Sequence, residues 1–195
     1  PTLTPSENAQ RYYNKYNKAK RTLAALEIQK KQNDEELAYL ESVLTAIEIA
    51  ADDADLKDIR DELTEQGFMK KKYNKKTPRT KKSKPMHFVS SDGIDIYVGK
   101  SNTQNDELTL KFAQPHNIWL HTKNIPGSHV IIDVNGLDEL PDNTLLEAAN
   151  LACCYSKAKE GTNVAVDYAL RKFVRKPNGA KPGMVIYDHN YSVYV

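Results

Sequence analysis

The sequence predicts an α+β protein: a long coiled-coil helix and a short helix, then a compact mixed or antiparallel sheet domain with one main helix. Three observations carry this. All nine prolines and eight glycines of the 195 residues lie outside residues 6–66. Apolar residues inside that run repeat every seven. From Met86 onward, short β-branched and aromatic runs alternate with turn signals.

A run without helix breakers favours helix, and Ser6, just after Pro5, is the predicted N-cap. Ala9, Tyr16, Leu23, Leu37, Leu44 and Ala51 occupy one position of the heptad. Tyr12, Ala19, Leu26, Leu40, Ile47 and Ala54 occupy the other, and only Lys30 and Asn33 interrupt the series. Steps of three and four keep one stripe facing a partner. A helix over residues 7–50 would be roughly 65 Å long at about 1.5 Å per residue. Its seam needs a second strand, from another chain or from another part of the same protein. Asp52, Asp53 and Asp55 end the pattern and cap a short helix over residues 54–66, with Leu56, Ile59 and Leu63 on its apolar face and Gly67 just past its end.

Charge divides the chain more sharply than its sum does. The formal net charge is +2, yet nine basic residues and no acid lie between Lys70 and Lys84. Removing those nine from a net of +2 leaves −7, so a basic strap joins two stretches that are otherwise acidic. Pro78 and Pro85 prevent a long helix there. The strap reads as a flexible linker, and the absence of compensating acid equally suits polyanion binding. The organisation is residues 1–66 as coiled-coil arm and short helix, 67–85 as basic linker, and 86–195 as the α+β domain.

In that last region MHFVS, IDIYVGK, IWLHT, HVIIDV, NVAVDYA, KFVRK and MVIYD read as strands. Ser91-Asp92-Gly93, Pro126-Gly127, Asn178-Gly179 and Pro182-Gly183 read as turns. An amphipathic helix is expected from Asn143 to Lys159, capped by Asp142 and stopped by Gly161. Leu145, Ala149, Ala152, Cys153 and Ser156 form its inward stripe. Trp119, the one tryptophan, reads as a core anchor.

Several classes are excluded. No apolar run approaches the roughly 18–20 residues of a membrane span. The first ten residues carry no signal-peptide pattern. Two adjacent cysteines, Cys153 and Cys154, make no disulfide framework, which fits a reducing cytosolic compartment. Four cysteine or histidine ligands at zinc spacing are missing, and no metal or cofactor is expected. Ser128-His129 resembles a nucleophile and base, but no third orienting group or oxyanion hole is specified, so no enzymatic activity is expected. His121 and His129 flank the loop TKNIPGS and read as structural or binding-surface groups. Gly127 lets backbone N–H groups approach an anion and Ser128 adds a hydroxyl; an ordinary hairpin turn is the alternative. In RKFVRKPNGAKPG, Arg171, Lys172, Arg175, Lys176 and Lys181 stand without an acid, either as a basic patch or as a solvated face. If Phe173 faces the core, strand alternation puts Lys172 and Val174 on the other side.

DGIDIYVGKSNTQNDELTLKFA, WLHTKNIPGSHVII and YSKAKEGTNVAVDYALRKFVRKPNGAKPGMVIY together resemble the NFACT-R domain. NAQRYYNKYNKAKR followed by ELAYLESVL resembles the coiled-coil arm preceding it. The chain is thereby similar to the C-terminal part of bacterial NFACT proteins of the RqcH type, often labelled fibronectin- or fibrinogen-binding proteins in Gram-positive bacteria. The resemblance implies a returning coil arm whose partner lies elsewhere in a longer protein, although a second chain would also cover the seam. It implies a ribosome-associated quality-control factor that binds obstructed large subunits, rRNA and tRNA, and promotes C-terminal tailing of nascent chains. The second implied activity is that of a surface adhesin and virulence factor for host fibronectin or fibrinogen. The implied location is the cytoplasm, on the ribosome, with the cell surface reached only by a non-standard route. On patch, strap and resemblance together, the expected RNA contacts are Lys70, Lys71, Lys72, Lys75, Lys76, Arg79, Lys81, Lys82, Lys84, Lys100, His121, Gly127, Ser128, His129, Arg171, Lys172, Arg175, Lys176 and Lys181. Asn117 departs from the aspartate frequent in the family two residues before the tryptophan, so a role needing a carboxylate there is not expected.

Overall fold

The structure is a computed structural model that describes residues 2–70, 83–134, 136 and 139–195. The chain forms two compact units, Pro1–Ala38 and Tyr39–Val195.

Helix α1 spans Pro5–Ile49. Its start is a capping box, not the expected Ser6 cap. The Thr4 hydroxyl accepts the Glu7 N–H at 3.3 Å, and the Glu7 carboxylate accepts the Thr4 N–H at 2.7 Å. Pro5 then occupies the first helical position, where its missing N–H costs nothing. Within the first unit the seam residues Tyr12, Tyr16, Leu23, Leu26 and Leu37 are all exposed.

In the second unit, the last turns of α1 pack through a different stripe. Tyr39, Val43 and Ala46 are buried, while Leu40, Leu44 and Ile47 of the heptad remain exposed. Helix α2 (Asp53–Glu65) covers that stripe with Ile59. Of the three aspartates expected at its start, Asp52 is the cap: its side chain accepts the Asp55 N–H at 2.9 Å. Gly67 follows its C-terminus at φ +83, where a side chain would be strained.

The sheet domain has six antiparallel strands in the order β1-β2-β4-β3-β5-β8. They are β1 (Met86–Val89), β2 (Asp95–Val98), β3 (Ile118–Thr122), β4 (Val130–Ile132), β5 (Ala165–Leu170) and β8 (Tyr191–Tyr194). A separate two-stranded ribbon pairs β6 (Val174–Arg175) with β7 (Ile186–Tyr187). Because side chains alternate across a strand, the sheet buries two faces. Ile96, Val98, Leu120, Val130, Ile132 and Val166 pack on Ala148, Ala149 and Ala152 of helix α4 (Asp142–Cys154). Trp119 and Ile131, on the opposite face, pack on Leu108, Ala113 and Val174.

Four expectations are corrected. Helix α4 begins at Asp142 after an extended Pro141 and ends at Cys154, short of the expected Lys159. The turns after it are held by the Ser156 hydroxyl bonding to the Cys153 carbonyl, so Ser156 is buried outside the helix. Strand β8 was not foreseen. Neither was helix α3 (Asn102–Glu107), which runs into a π-helical turn, Leu108–Phe112. Finally, Val174 and not Phe173 fills the core, because residues 171–173 form a 3₁₀ turn that rotates the alternation. Trp119 is fully buried, as the sequence predicts.

Candidate nucleic-acid interface

The expected RNA-contact residues separate into those facing inward, those facing outward and those outside the described residues. Lys71, Lys72, Lys75, Lys76, Arg79, Lys81 and Lys82 belong to the last group. Lys70 and Lys84, at the ends of the strap, are exposed.

Several cations are committed to internal partners. The Lys100 ammonium lies 2.6 Å from Asp55 and is only 13% exposed. Burial would raise the Asp55 carboxyl, but hydrogen bonds from Lys100, Ser83 and the Ala51 N–H outweigh it and hold it below the usual carboxylate range. Arg171 donates from Nε to the Thr109 carbonyl at 2.7 Å and from Nη2 to the Leu110 carbonyl at 2.9 Å. Those carbonyls sit in the π-helical turn, which leaves them without regular helical partners. Lys176 pairs with Asp106 at 2.5 Å and also reaches the Lys181 carbonyl at 2.8 Å. The Lys181 ammonium sits 4.8 Å from the Tyr39 ring centroid and 4.5 Å from that of Phe68. There it binds the arm base to the domain through cation–π attraction.

The Pro126-Gly127-Ser128 turn also faces inward. Gly127 bridges Ser156, and a Cβ at position 127 would stand 2.7 Å from the Ser156 Cβ. The lack of a side chain there serves a close internal approach. Ser128 is buried, and its N–H is given to the Tyr155 carbonyl at 2.9 Å. His129 is buried as well; its Nδ1 lies 2.7 Å from the Thr109 hydroxyl, and its N–H donates to Asn105 Oδ1 at 3.0 Å. His121 stacks on Trp119 and meets His129 edge-on, with centroids 5.8 and 5.5 Å apart. These two histidines pack in an aromatic layer around Trp119, His129 buried and His121 half-buried.

Burial is the main reason both imidazoles resist protonation: His121 is pushed down to about 4, and His129 lies well below its ordinary value, with His121 adding repulsion. A folded state that refuses a proton loses ground to an unfolded chain that accepts one near pH 6.5. Stability therefore falls as pH drops from about 6.5 towards 4, by about 1.4 kcal/mol per unit for each histidine. Urea midpoints at pH 7, 6 and 5 should decline in that order, and His129→Gln should flatten the decline. The Asp55 contribution is lost from about pH 5 downwards, so it adds to the decline only at the acid end of this window.

What faces outward is smaller: Lys172 and Arg175, and the ring pair of Phe173 and His189. Lys172 lies 5.0 Å over the Phe173 ring centroid, and the His189 ring packs on the same phenyl at 4.6 Å. Arg175 pairs with Asp188 and is 66% exposed. The sequence reading missed His189. Its pairing with Phe173 depends on the ribbon β6–β7 folding back, and no local spacing signals that.

Asn117 is 1% exposed, with its main-chain carbonyl accepting the Arg171 N–H at 2.8 Å. A neutral amide suits this burial better than a carboxylate, which would carry a desolvation cost.

A helical arm followed by an antiparallel sheet domain, helix-covered on one face and closed by a ribbon on the other, defines the architecture. A family model described as the NFACT protein RNA binding domain matches residues 84–188, and one described as the NFACT N-terminal and middle domains matches residues 1–82. The chain belongs to the NFACT family. The Rqc2 homolog RqcH of Bacillus subtilis is 43% identical over 197 residues, covering 100% of this chain and 34% of that protein. The Rqc2 homolog RqcH of Streptococcus suis is 44% identical over 186 residues, 95% of this chain and 33% of that protein. The chain thus spans about a third of the length of these curated relatives. The solved C-terminal structure of the fibronectin/fibrinogen-binding protein from Streptococcus suis superposes with a TM-score of 0.87 at 40% identity. That match covers 100% of this chain and 76% of the other.

Proposed function

We propose that this chain is an RNA-binding part of a ribosome quality-control factor, acting in the cytoplasm on obstructed large subunits, rRNA and tRNA. One observation carries the reading: the domain folded here is matched along residues 84–188 by a model described as RNA-binding. The names of the bacterial relatives, and of the matching ribosome quality control subunits of Drosophila and yeast, support the cellular role. The chain acts by binding and not by catalysis; the one serine–histidine pair that resembles a catalytic dyad is buried, with the histidine engaged by Thr109. The arm supplies a coil seam, paired with another part of the same protein or with a second chain.

Nine cations in the strap supply the long-range attraction. Replacing Lys70, Lys71, Lys72, Lys75 and Lys76 by alanine should weaken binding to large subunits and tRNA by at least about tenfold at low salt. It should also flatten the dependence of log affinity on log salt by up to about 4 units. Unchanged affinity and slope would remove the strap from the interface.

The name of the Streptococcus suis structure favours a second reading, fibronectin or fibrinogen binding. Edge strand β8, with Tyr191 and Tyr194 exposed, offers a backbone for strand addition. Absence of fibronectin binding by the whole chain removes this reading. Binding unaffected by Tyr191→Lys and Tyr194→Lys moves it away from β8.

A further inference from the structure

We propose that Lys172, Phe173, Arg175 and His189 form a site for one unpaired nucleotide: the base stacks on His189, backed by Phe173, and the phosphate meets Lys172 and Arg175. This deepens the RNA-binding reading and rests on it.

Arg171, Lys176 and Lys181 are occupied by the π-helical carbonyls, by Asp106 and by two aromatic rings. Lys172 and Arg175 of the same segment point outward and are exposed. Of the five cations in the segment these two are the exposed ones, with Arg175 sharing its charge with Asp188.

Lys172 lies over one ring of an aromatic pair. Phe173 is held by the 3₁₀ turn, whose Lys172 N–H donates to the Pro115 carbonyl at 3.1 Å. His189 is exposed, and its ring contacts Phe173 at 4.6 Å, with 52° between the planes. The contact leaves the rest of the imidazole in solvent. His189 is also one of three non-glycine residues at positive φ among the described residues, at +53°. Histidine, like asparagine, is enriched in this left-handed region, and here the turn carries an aromatic ring pressed on another.

The chemistry then selects the ligand. A flat π surface beside two cations suits a stacked base joined to a phosphate, the combination that single-stranded nucleic acid offers and a duplex hides. Asp188 pairs with Arg175, so the net positive charge of the site is that of Lys172, and Arg175 meets a phosphate only through guanidinium N–H groups that Asp188 leaves open. Nothing here reads base edges, so the site is indifferent to sequence.

The test uses the whole chain and three fluorescent RNAs of equal length: oligoadenylate, the same backbone with abasic sugars, and a duplex. Asparagine tolerates positive φ, so His189→Asn removes the ring and leaves the turn unstrained. Wild type should bind oligoadenylate roughly 5- to 100-fold more tightly than the abasic strand. His189→Asn should abolish that difference at unchanged thermal stability, and Lys172→Gln should weaken both single strands together. If wild type favours oligoadenylate and His189→Asn still does, this site is wrong while RNA binding stands. If wild type does not distinguish the strands, stacking here is likewise excluded. If wild type binds none of the three RNAs, the RNA-binding reading itself fails.

Discussion

Replacing Glu62 with alanine should destabilise the unit Tyr39–Val195 by about 3–5 kcal/mol. Glu62 is 3% exposed and joins three elements. It accepts the Tyr39 hydroxyl at 3.0 Å and Asn102 Nδ2 at 3.2 Å. It also accepts the Thr103 N–H and the Thr103 hydroxyl, each at 2.9 Å. Truncation removes four hydrogen bonds: the buried Tyr39 hydroxyl loses its acceptor, part-buried Thr103 loses two bonds, and Asn102 keeps only its bond to Ser42 Oγ at 2.8 Å. Burial, with the Glu62 charge second, raises the Tyr39 phenol so far that it stays protonated and donates at every working pH. Glu62→Gln keeps one acceptor oxygen but turns an amide N–H₂ towards donors, so about half the loss is expected. Urea unfolding followed by circular dichroism measures both. A loss below about 1 kcal/mol for Glu62→Ala would mean that α2 is not anchored to the domain through this carboxylate.

Trp119→Ala should cost about 3–5 kcal/mol, for a different physical reason. The indole is fully buried and touches the rings of Tyr187 at 4.7 Å, His129 at 5.3 Å and His121 at 5.8 Å. Its removal opens a cavity under the ribbon that carries Arg175 and follows the 3₁₀ turn of Lys172 and Phe173. The packed surroundings relax only partly. Trp119→Phe should lose less, because one ring still fills most of the space. The decrease in thermal midpoint of the two variants should therefore rank alanine well above phenylalanine. Equal midpoints for the two would show that the layer is loosely packed.

Much of this architecture was legible in the sequence. A run free of proline and glycine marked α1, and Asp52 marked the start of α2. Alternating apolar residues marked β1 to β5, where one face or both must be buried. Helix α3 escaped because nothing apolar drives it. It is stabilised by polar side chains folded onto backbone: Gln104 Oε1 accepts the Lys100 N–H at 2.7 Å, and Asn105 Oδ1 accepts that of His129. Periodicity rules weigh hydrophobic faces and are silent about such a helix. Strand β8 escaped because it is half exposed and owes its pairing to β5.

The site was legible as charge but not as direction. Residue types announced a basic segment at 171–181, and types alone treat its five cations alike. Their roles are decided by partners distant in sequence: Asp106 for Lys176, and carbonyls at 109 and 110 for Arg171. The same holds for Lys100, whose partner Asp55 belongs to another helix. Gly127 and Ser128 looked like an anion cradle because small size and a hydroxyl suit both an anion and tight internal packing. Ser156 at close approach decides for packing.

The most direct test of the account is to crosslink the whole chain to purified large ribosomal subunits and map the crosslinked residues. RNA crosslinks should concentrate on the strap lysines and on the segment from Lys172 to His189, and should diminish together as salt rises. Crosslinks confined to ribosomal proteins, or no more RNA crosslinks than an unrelated basic protein gives, would contradict it.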